Sequence, residues 1–197
     1  MSAQFPATWQ GQWYTLHIPA TMFAPSQDAN MSPNPAIPWT YSSPAPYNVL
    51  SGLQFSQPAA VGAQASMADL CINTGEHFPL PPLGAILGAV YGTLLWTCDT
   101  DASAADVNMY MELWSVQPSG DLRTQLFGSA LNSFRASPGP APYIEVSPPP
   151  VLFGVNGVTQ GDPLFIRIGR RLVDPGGNDT FAGEAQVLGV NLMYQIR

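Results

Sequence analysis

The sequence predicts an all-β protein, and three observations support that prediction. Apolar residues alternate with a period of two in several short segments, as they do in strands with one buried face. The 197 residues include 21 prolines and 18 glycines, which disfavour long helices and favour short strands joined by turns. Such strands are typical of a β-sandwich or a barrel, and the length suits one domain, so we expect residues 1–197 to fold as a single domain.

The N-terminal region combines one regular strand with an irregular segment. Residues 13–18, WYTLHI, alternate and predict the first strand. Residues 19–58 contain eight prolines and no regular period, and proline cannot donate a backbone hydrogen bond to a sheet. The segment is too apolar for a disordered linker. We therefore expect an extended proline-rich arm, without regular strands, that packs on its own domain or on a neighbouring subunit.

Large apolar and aromatic residues in these N-terminal segments are our candidates for contacts with a partner. They are Trp9, Phe23, Met31, Trp39, Tyr41 and Tyr47. Three of them, Trp9, Trp39 and Tyr41, would also suit a sugar ligand. Trp96 and Trp114 lie in alternating segments instead, so we expect both of them in the core.

The remaining chain predicts further strands and one short helix. Residues 86–98 are apolar at both parities, which indicates a strand covered on both faces, and residues 107–116 alternate. A helix is predicted for LRTQLFGSALNSF, residues 122–134, because Leu122, Leu126 and Ala130 are spaced by four. A second proline-rich connector, SPGPAPYIEVSPPP, follows this segment.

The C-terminal region gives the clearest alternation, in PLFIRIGR and QVLGVNLMYQIR. We predict that these two segments form an antiparallel hairpin. Burial then decides the register, because a slip of one residue would turn the apolar set outward. In that register Ile166 and Ile168 share the core face with Val190 and Leu192.

The acidic, glycine-rich stretch between these strands, RRLVDPGGNDTFAGEA, predicts a turn. Asp174-Pro175-Gly176-Gly177 places proline and glycine where a type II turn requires them. Asn178 and Asp179 can accept hydrogen bonds from backbone two residues further on. The acids do not follow the regular offsets of a calcium loop, so we expect no metal here.

The overall charge excludes several classes of function. The sequence has no lysine, and six arginines stand against 13 acids, for a net charge of -7. A chain with this charge repels phosphate backbones, so we expect no nucleic acid partner. The absence of lysine also excludes Walker-type phosphate loops and Schiff-base chemistry. No apolar segment suits a membrane helix or a secretory signal, so no membrane contact is expected.

Histidines, acidic loops and cysteines are too sparse for a catalytic or metal site. We interpret His17 as a packed or surface residue on a strand, and His77 follows Glu76 directly, which places no ligand pair on one face. A solvated loop is the prediction for DTDASAAD, residues 99–106, because no calcium-loop glycine follows. Cys71 and Cys98 are predicted to be buried free thiols, with a single bridge between them as the alternative. We expect neither a cofactor nor enzymatic activity.

Three segments carry a resemblance to a known group of proteins. The C-terminal stretch GDPLFIRIGRRLVDPGGNDTFAGEAQVLGVNLMYQIR resembles the ending of small virion proteins of tailed bacteriophages. Two upstream segments also resemble these proteins: HIPATMFAP contains an Ile-Pro-Ala stretch, and LLWTCDTDASAADVNMYMELWSV places a strand ending in Trp before a second strand that contains Trp. The resemblance covers about half of the chain and implies a β-sandwich, often a jelly roll, on a phage head or tail. The expected architecture is thus a single jelly-roll-like sandwich with the extended arm.

This resemblance implies a structural role in the virion. The first expectation is a capsid cement protein, made in the host cytoplasm, that decorates the capsid surface and binds the major capsid protein. Its attachment would be multivalent, since a lattice raises effective concentration without stronger single contacts. A homotrimer is expected, with the arm crossing onto a neighbour. The alternative is a tail-fibre or appendage module that attaches to a glycan on the host surface.

Overall fold

The structure, a computed structural model, describes residues 13–25, 36–42, 49–57, 66–73, 86–98, 105–115, 126–135, 145–146, 151–153, 162–171, 173–174 and 177–196. Within these ranges the chain is almost entirely β, with one short 3-10 helix at Ala20–Met22. Two antiparallel sheets form a sandwich-like arrangement, so the prediction of an all-β sandwich is confirmed.

The larger sheet, sheet A, contains seven strands. They are β1 Trp13–Pro19, β3 Ile37–Ser42, β4 Val49–Phe55, β6 Ile86–Cys98, β9 Glu145–Val146, β10 Val151–Phe153 and β14 Ala185–Ile196. The smaller sheet, sheet B, contains five: β2 Ala24–Pro25, β5 Ser66–Asn73, β7 Asp106–Ser115, β8 Leu126–Arg135 and β11 Pro163–Arg170. A two-stranded ribbon pairs β12 Val173–Asp174 with β13 Gly177–Asn178.

The centre of sheet A is β14. It pairs with β6 along one edge, and along the other edge it pairs first with β4 and then with β1. The register shifts between Val187 and Gly189, as expected of a β-bulge. In sheet B the order is β2-β5-β11-β7-β8, which makes β11 the central strand.

The core lies between the two sheets and joins their central strands. Ile166 and Ile168 of β11 and Val190 and Leu192 of β14 are all 0% exposed and belong to one cluster. Their predicted burial is confirmed, but the predicted hairpin is wrong, because β11 and β14 lie in different sheets. Each strand has one apolar face, and these faces meet across the sandwich instead of side by side.

The proline-rich segment contributes strands to both sheets. The expectation that residues 19–58 add no regular strands is therefore wrong for Ile37–Ser42 and Val49–Phe55, which pair with each other, while the second of them also pairs with β14. The prolines are accommodated at edges: Pro38 lies in β3, the edge strand of sheet A, and Pro25 in β2, the edge of sheet B. An edge position tolerates proline because one side of the strand needs no donor.

The helix predicted within residues 122–134 is also wrong, because Leu126–Arg135 forms strand β8 against β7. A spacing of four residues is an even number, so it fits one face of a strand as well as one face of a helix. The register Tyr110↔Leu131 and Asp106↔Arg135 shows that β8 supplies the partner for the outer edge of β7.

Candidate partner-contact surfaces

An aromatic stripe runs along edge strand β3. Ile37 is 48% exposed, and Trp39 and Tyr41, two and four residues further on, are half-buried. The rings of Trp39 and Tyr41 stack with centroids 6.2 Å apart and an interplanar angle of 21°. Alternation places all three side chains on one face of the strand. We call this set the β3 stripe.

The other candidate contact residues do not join this stripe in the described part of the chain. Phe23 is 4% exposed and packs in the core cluster, so it stabilises the domain and offers no contact surface. It follows the 3-10 helix, and its backbone N–H donates to the Ala20 carbonyl at 3.1 Å, which turns the chain inward. Trp9, Met31 and Tyr47 lie outside the described residues.

The outer face of sheet B carries a ladder of alternating charges. Arg167 donates two hydrogen bonds to the Asp69 carboxylate, at 2.7 and 2.9 Å, and lies 3.9 Å from Glu112 on its other side. Arg171 donates to the same glutamate at 3.2 Å. Hydrogen bonding to Asp69 is the main cause that raises the pKa of Arg167 above its ordinary value. The ladder is charge-balanced, so it favours neither a cation nor an anion.

Aromatic rings pack beside this ladder. Trp114 stacks on Phe165 with centroids 5.7 Å apart, and Arg167 lies 5.4 Å from the Trp114 ring. Trp114 is half-buried on the outer face, so its predicted core position is wrong, whereas Trp96, 1% exposed, is in the core as predicted. Parity explains the difference, because Trp114 pairs with Phe165, which alternates with the buried isoleucines of β11.

A buried ion pair lies at one end of the sandwich, where the two sheets meet. Arg170 donates to both oxygens of Asp179, at 2.7 and 2.8 Å, and both side chains are 0% exposed. The other three guanidinium N–H groups donate to backbone carbonyls of Phe55, Phe181 and Gly183. All five donors of the arginine therefore have acceptors. We call Arg170 and Asp179 the clamp.

The carboxylate of the clamp is equally well saturated. Asp179 accepts hydrogen bonds from the backbone N–H groups of Asn108 at 3.0 Å and Phe181 at 3.2 Å. The Phe181 bond runs two residues ahead, so the predicted local turn bond of Asp179 is confirmed. The antiparallel pairing of β12 with β13 agrees with a turn between them, whose predicted central residues Pro175 and Gly176 lie outside the described part of the chain. Because the clamp joins Phe55 of sheet A to Asn108 of sheet B, its role is structural.

The remaining sequence candidates do not come together within the described residues. In the part of the chain that the structure describes, no three His, Cys, Asp or Glu side chains are grouped to hold a metal ion. That the stretch RRLVDPGGNDTFAGEA binds no calcium stays a prediction. No helix within the described ranges is long and apolar enough to span a membrane.

Cys71 and Cys98 are both free, as predicted, but only Cys98 is buried. His17 is exposed and hydrogen-bonded to Asn191, which confirms it as a surface residue, whereas His77 lies outside the described residues.

Comparisons with known proteins do not assign a family. No family model and no curated protein matches the sequence. Solved structures with a related chain path include infectious bursal disease virus of the Gt and Gx strains, both at 13% identity, with TM-scores of 0.41 and 0.40. They also include the enzymatically active domain of tailspike protein 4 of bacteriophage CBA120, at 9% identity and a TM-score of 0.41.

The overlap is unequal on the two sides. This chain is covered to 94%, 94% and 92%, but it spans only 32%, 34% and 19% of the respective viral and phage chains. TM-scores and identities this low assign no function. The function proposed below therefore rests on the sheets and side chains of this protein and on the sequence resemblance.

Proposed function

We propose that this protein is a structural component of a tailed-phage virion and acts as a capsid cement protein. The observation that carries the proposal is the β3 stripe, in which an exposed Ile37 continues into the stacked pair Trp39 and Tyr41. Tryptophan and tyrosine are the residue types that most often dominate the binding energy of protein interfaces. A stripe on an edge strand at the rim of the sandwich is accessible to the major capsid protein.

Low charge supports the same proposal. Charged residues make up 10% of the chain, against about 25% in an ordinary soluble domain. A contact built from neutral and aromatic side chains loses little free energy to desolvation of ions. Many weak copies on a lattice then reach high avidity, because each bound neighbour raises the effective concentration of the next contact. We propose a homotrimer as the binding unit.

The test uses the full chain and capsids assembled without it. Replacing Trp39 and Tyr41 together by serine is expected to weaken capsid co-sedimentation at least about tenfold, as for the loss of an interface anchor. The matched control is Trp13→Ser, which removes an exposed tryptophan from a different strand. If the double variant is folded and binds capsids as well as the wild type does, the proposal is contradicted. Mass in solution reports the predicted trimer in the same samples.

The alternative is an appendage module that attaches to a host-surface glycan. Copy number separates the two roles, since a cement protein covers a lattice and an appendage is present at few positions. A calibrated gel of intact virions should give hundreds of copies per particle for cement. A count of tens or fewer would favour the appendage.

A further inference from the structure

A second exposed surface lies on the outer side of sheet A, on a different strand from the β3 stripe. On β1, Trp13, Thr15 and His17 point outward and are exposed, and Trp13 reaches 57% exposure. Their cross-strand partners on β14 are Gln195, Met193 and Asn191, in that order. We call these six residues, together with Tyr91 of β6, the β1 face.

The indole of Trp13 is held in place although it is exposed. Its centroid lies 5.5 Å from the ring of Tyr91, at an interplanar angle of 57°. Tyr91 belongs to β6, and β14 lies between β6 and β1, so the two rings meet over the central strand. This support fixes an aromatic surface that has no role in the core, because Trp13 does not belong to the core cluster.

His17, near the other end of β1, is also held in place by its neighbours. Its Nδ1 lies 2.8 Å from Oδ1 of Asn191. Because an amide oxygen only accepts, Nδ1 donates, and in the neutral form of the imidazole Nε2 is then an acceptor. The ring lies against Gly189, where a Cβ would come within 2.7 Å of Cε1 of the imidazole. Glycine therefore makes room for this ring position.

The two side chains together offer an acceptor and a donor. In the neutral imidazole Nε2 of His17 accepts, and the amide nitrogen of Asn191 donates. A sugar hydroxyl both donates and accepts, so two neighbouring hydroxyls match this pair. The C–H face of a pyranose ring is apolar and matches the indole. Few polar groups around an aromatic surface are the usual composition of a small-ligand site.

Charge decides which sugars fit. The chain has a net charge of -7, but none of the seven residues of the β1 face is Asp, Glu, Lys or Arg. Such a face has no lysine or arginine to bind a carboxylate or sulfate group. Trp13 and His17 are four residues apart on one strand, which is roughly 14 Å at about 3.4 Å per residue. That span exceeds one sugar ring, so the ligand is an oligosaccharide.

We propose that the β1 face binds an uncharged oligosaccharide, with one ring stacked on Trp13 and hydroxyl groups of another hydrogen-bonded to His17 and Asn191. The proposal goes beyond capsid attachment and does not depend on it, because the β3 stripe uses a different strand. A virion protein with both surfaces would hold the particle together with one and contact cell-surface sugars with the other.

The experiment is calorimetric titration of the full chain with neutral trisaccharides of glucose, galactose and N-acetylglucosamine, and with one sialylated trisaccharide. We expect binding of at least one neutral glycan. Trp13→Ala should weaken it at least about tenfold. His17→Ala should also weaken it, and Trp39→Ala, which removes a tryptophan of the β3 stripe, should leave it unchanged.

Three results would overturn the proposal: no neutral glycan bound at millimolar concentration, binding unchanged in both Trp13→Ala and His17→Ala, or a preference for the sialylated glycan. If Trp13→Ala does not fold, His17→Ala decides alone, since that side chain is exposed. Failure of the cement role remains separate, because the Trp39 and Tyr41 double variant is assayed on capsids while glycan binding is assayed in solution.

Discussion

Strand β11 carries two arginines in opposite environments. Arg167 lies on the outer face, where its side chain is 19% exposed and its partner Asp69 is 32% exposed. Arg170 lies at the inner end, where both it and Asp179 are 0% exposed. Both arginines hold a carboxylate with two short hydrogen bonds. The two ion pairs differ in solvent access and in the further partners of each arginine, so comparing them shows what a buried setting does to an ion pair.

The two arginines differ in whether water can take the place of the carboxylate partner. Water can solvate Arg167 when Asp69 is removed, so the ladder contributes a small and salt-sensitive stabilisation. Water does not reach Arg170, and its remaining acceptors are fixed carbonyls, so the loss of Asp179 leaves a buried charge without compensation. The loss of one partner should therefore be costly in the inner pair and tolerated in the outer pair.

The largest expected effect comes from breaking the clamp on one side. Asp179→Ala should lower the free energy of unfolding by about 3 to 5 kcal/mol, because it strands the Arg170 guanidinium in a dry site. Equilibrium unfolding in urea measures the change. The double replacement Arg170→Met with Asp179→Leu should cost less than Asp179→Ala alone, since no charge then remains buried. A double variant that is less stable than the single one would contradict this account.

The next largest effect is the loss of stability at high pH, which reports how well water is excluded from the outer face of sheet B. Burial raises the pKa of Tyr110 on that face, and burial likewise raises the pKa of Tyr194 in the core. Each phenol therefore contributes stability that is complete below the unfolded pKa of about 10 and is lost as pH rises toward the folded value.

The loss should approach about 1.4 kcal/mol per pH unit for each tyrosine above pH 10. Urea midpoints at pH 9 and pH 11 measure it. Tyr110→Phe and Tyr194→Phe should each flatten the slope of the wild type. If Tyr194→Phe flattens the slope and Tyr110→Phe does not, then water reaches the outer face of sheet B more easily than the core. That result would also mean that the ladder is more solvated than the clamp.

A smaller effect is expected in the ladder itself. Asp69→Ala should lower the free energy of unfolding by only about 0.2 to 1 kcal/mol, and the difference should shrink at high salt. The same urea experiment at low and high ionic strength checks it. A loss as large as that of Asp179→Ala would erase the contrast between the two arginines.

The smallest effect is on thiol reactivity and leaves stability unchanged. Cys71 is exposed and Cys98 is buried, so a maleimide reagent should label Cys71 at least about ten times faster in the folded protein. Partial desolvation raises the pKa of the Cys71 thiol, so its labelling should stay slower than that of a free cysteine at the same pH. Equal labelling of both thiols in native buffer would show that the core opens readily.

Local alternation predicts which residues are buried, but not which strand is the neighbour. Alternation predicts the burial of Ile166 and Ile168, and the same parity leads to Arg170, so the pattern also contains the position of a buried arginine. Its partner was not, because Asp179 reaches it only after the β12–β13 ribbon turns the chain back. The assignment of β11 and β14 to different sheets depends on long-range packing in the same way.

The candidate contact residues show a similar limit. Trp39 and Tyr41 lie on an accessible edge, as their irregular surroundings suggested, whereas Phe23 in the same segment is buried. Residue type does not separate them, since the difference depends on the 3-10 helix that turns Phe23 inward. The sequence does not single out the β1 face, because Trp13 and His17 alternate with apolar residues as in any half-buried strand.

The position of β14 has a consequence for biosynthesis. This strand pairs with β6, β4 and β1, yet the ribosome makes it after all three. Until residues 185–196 emerge, β1 and β4 lack the strand that joins them to the rest of sheet A. Nascent chains should therefore expose unpaired strand edges until β14 has emerged, and sheet A should close only after that point.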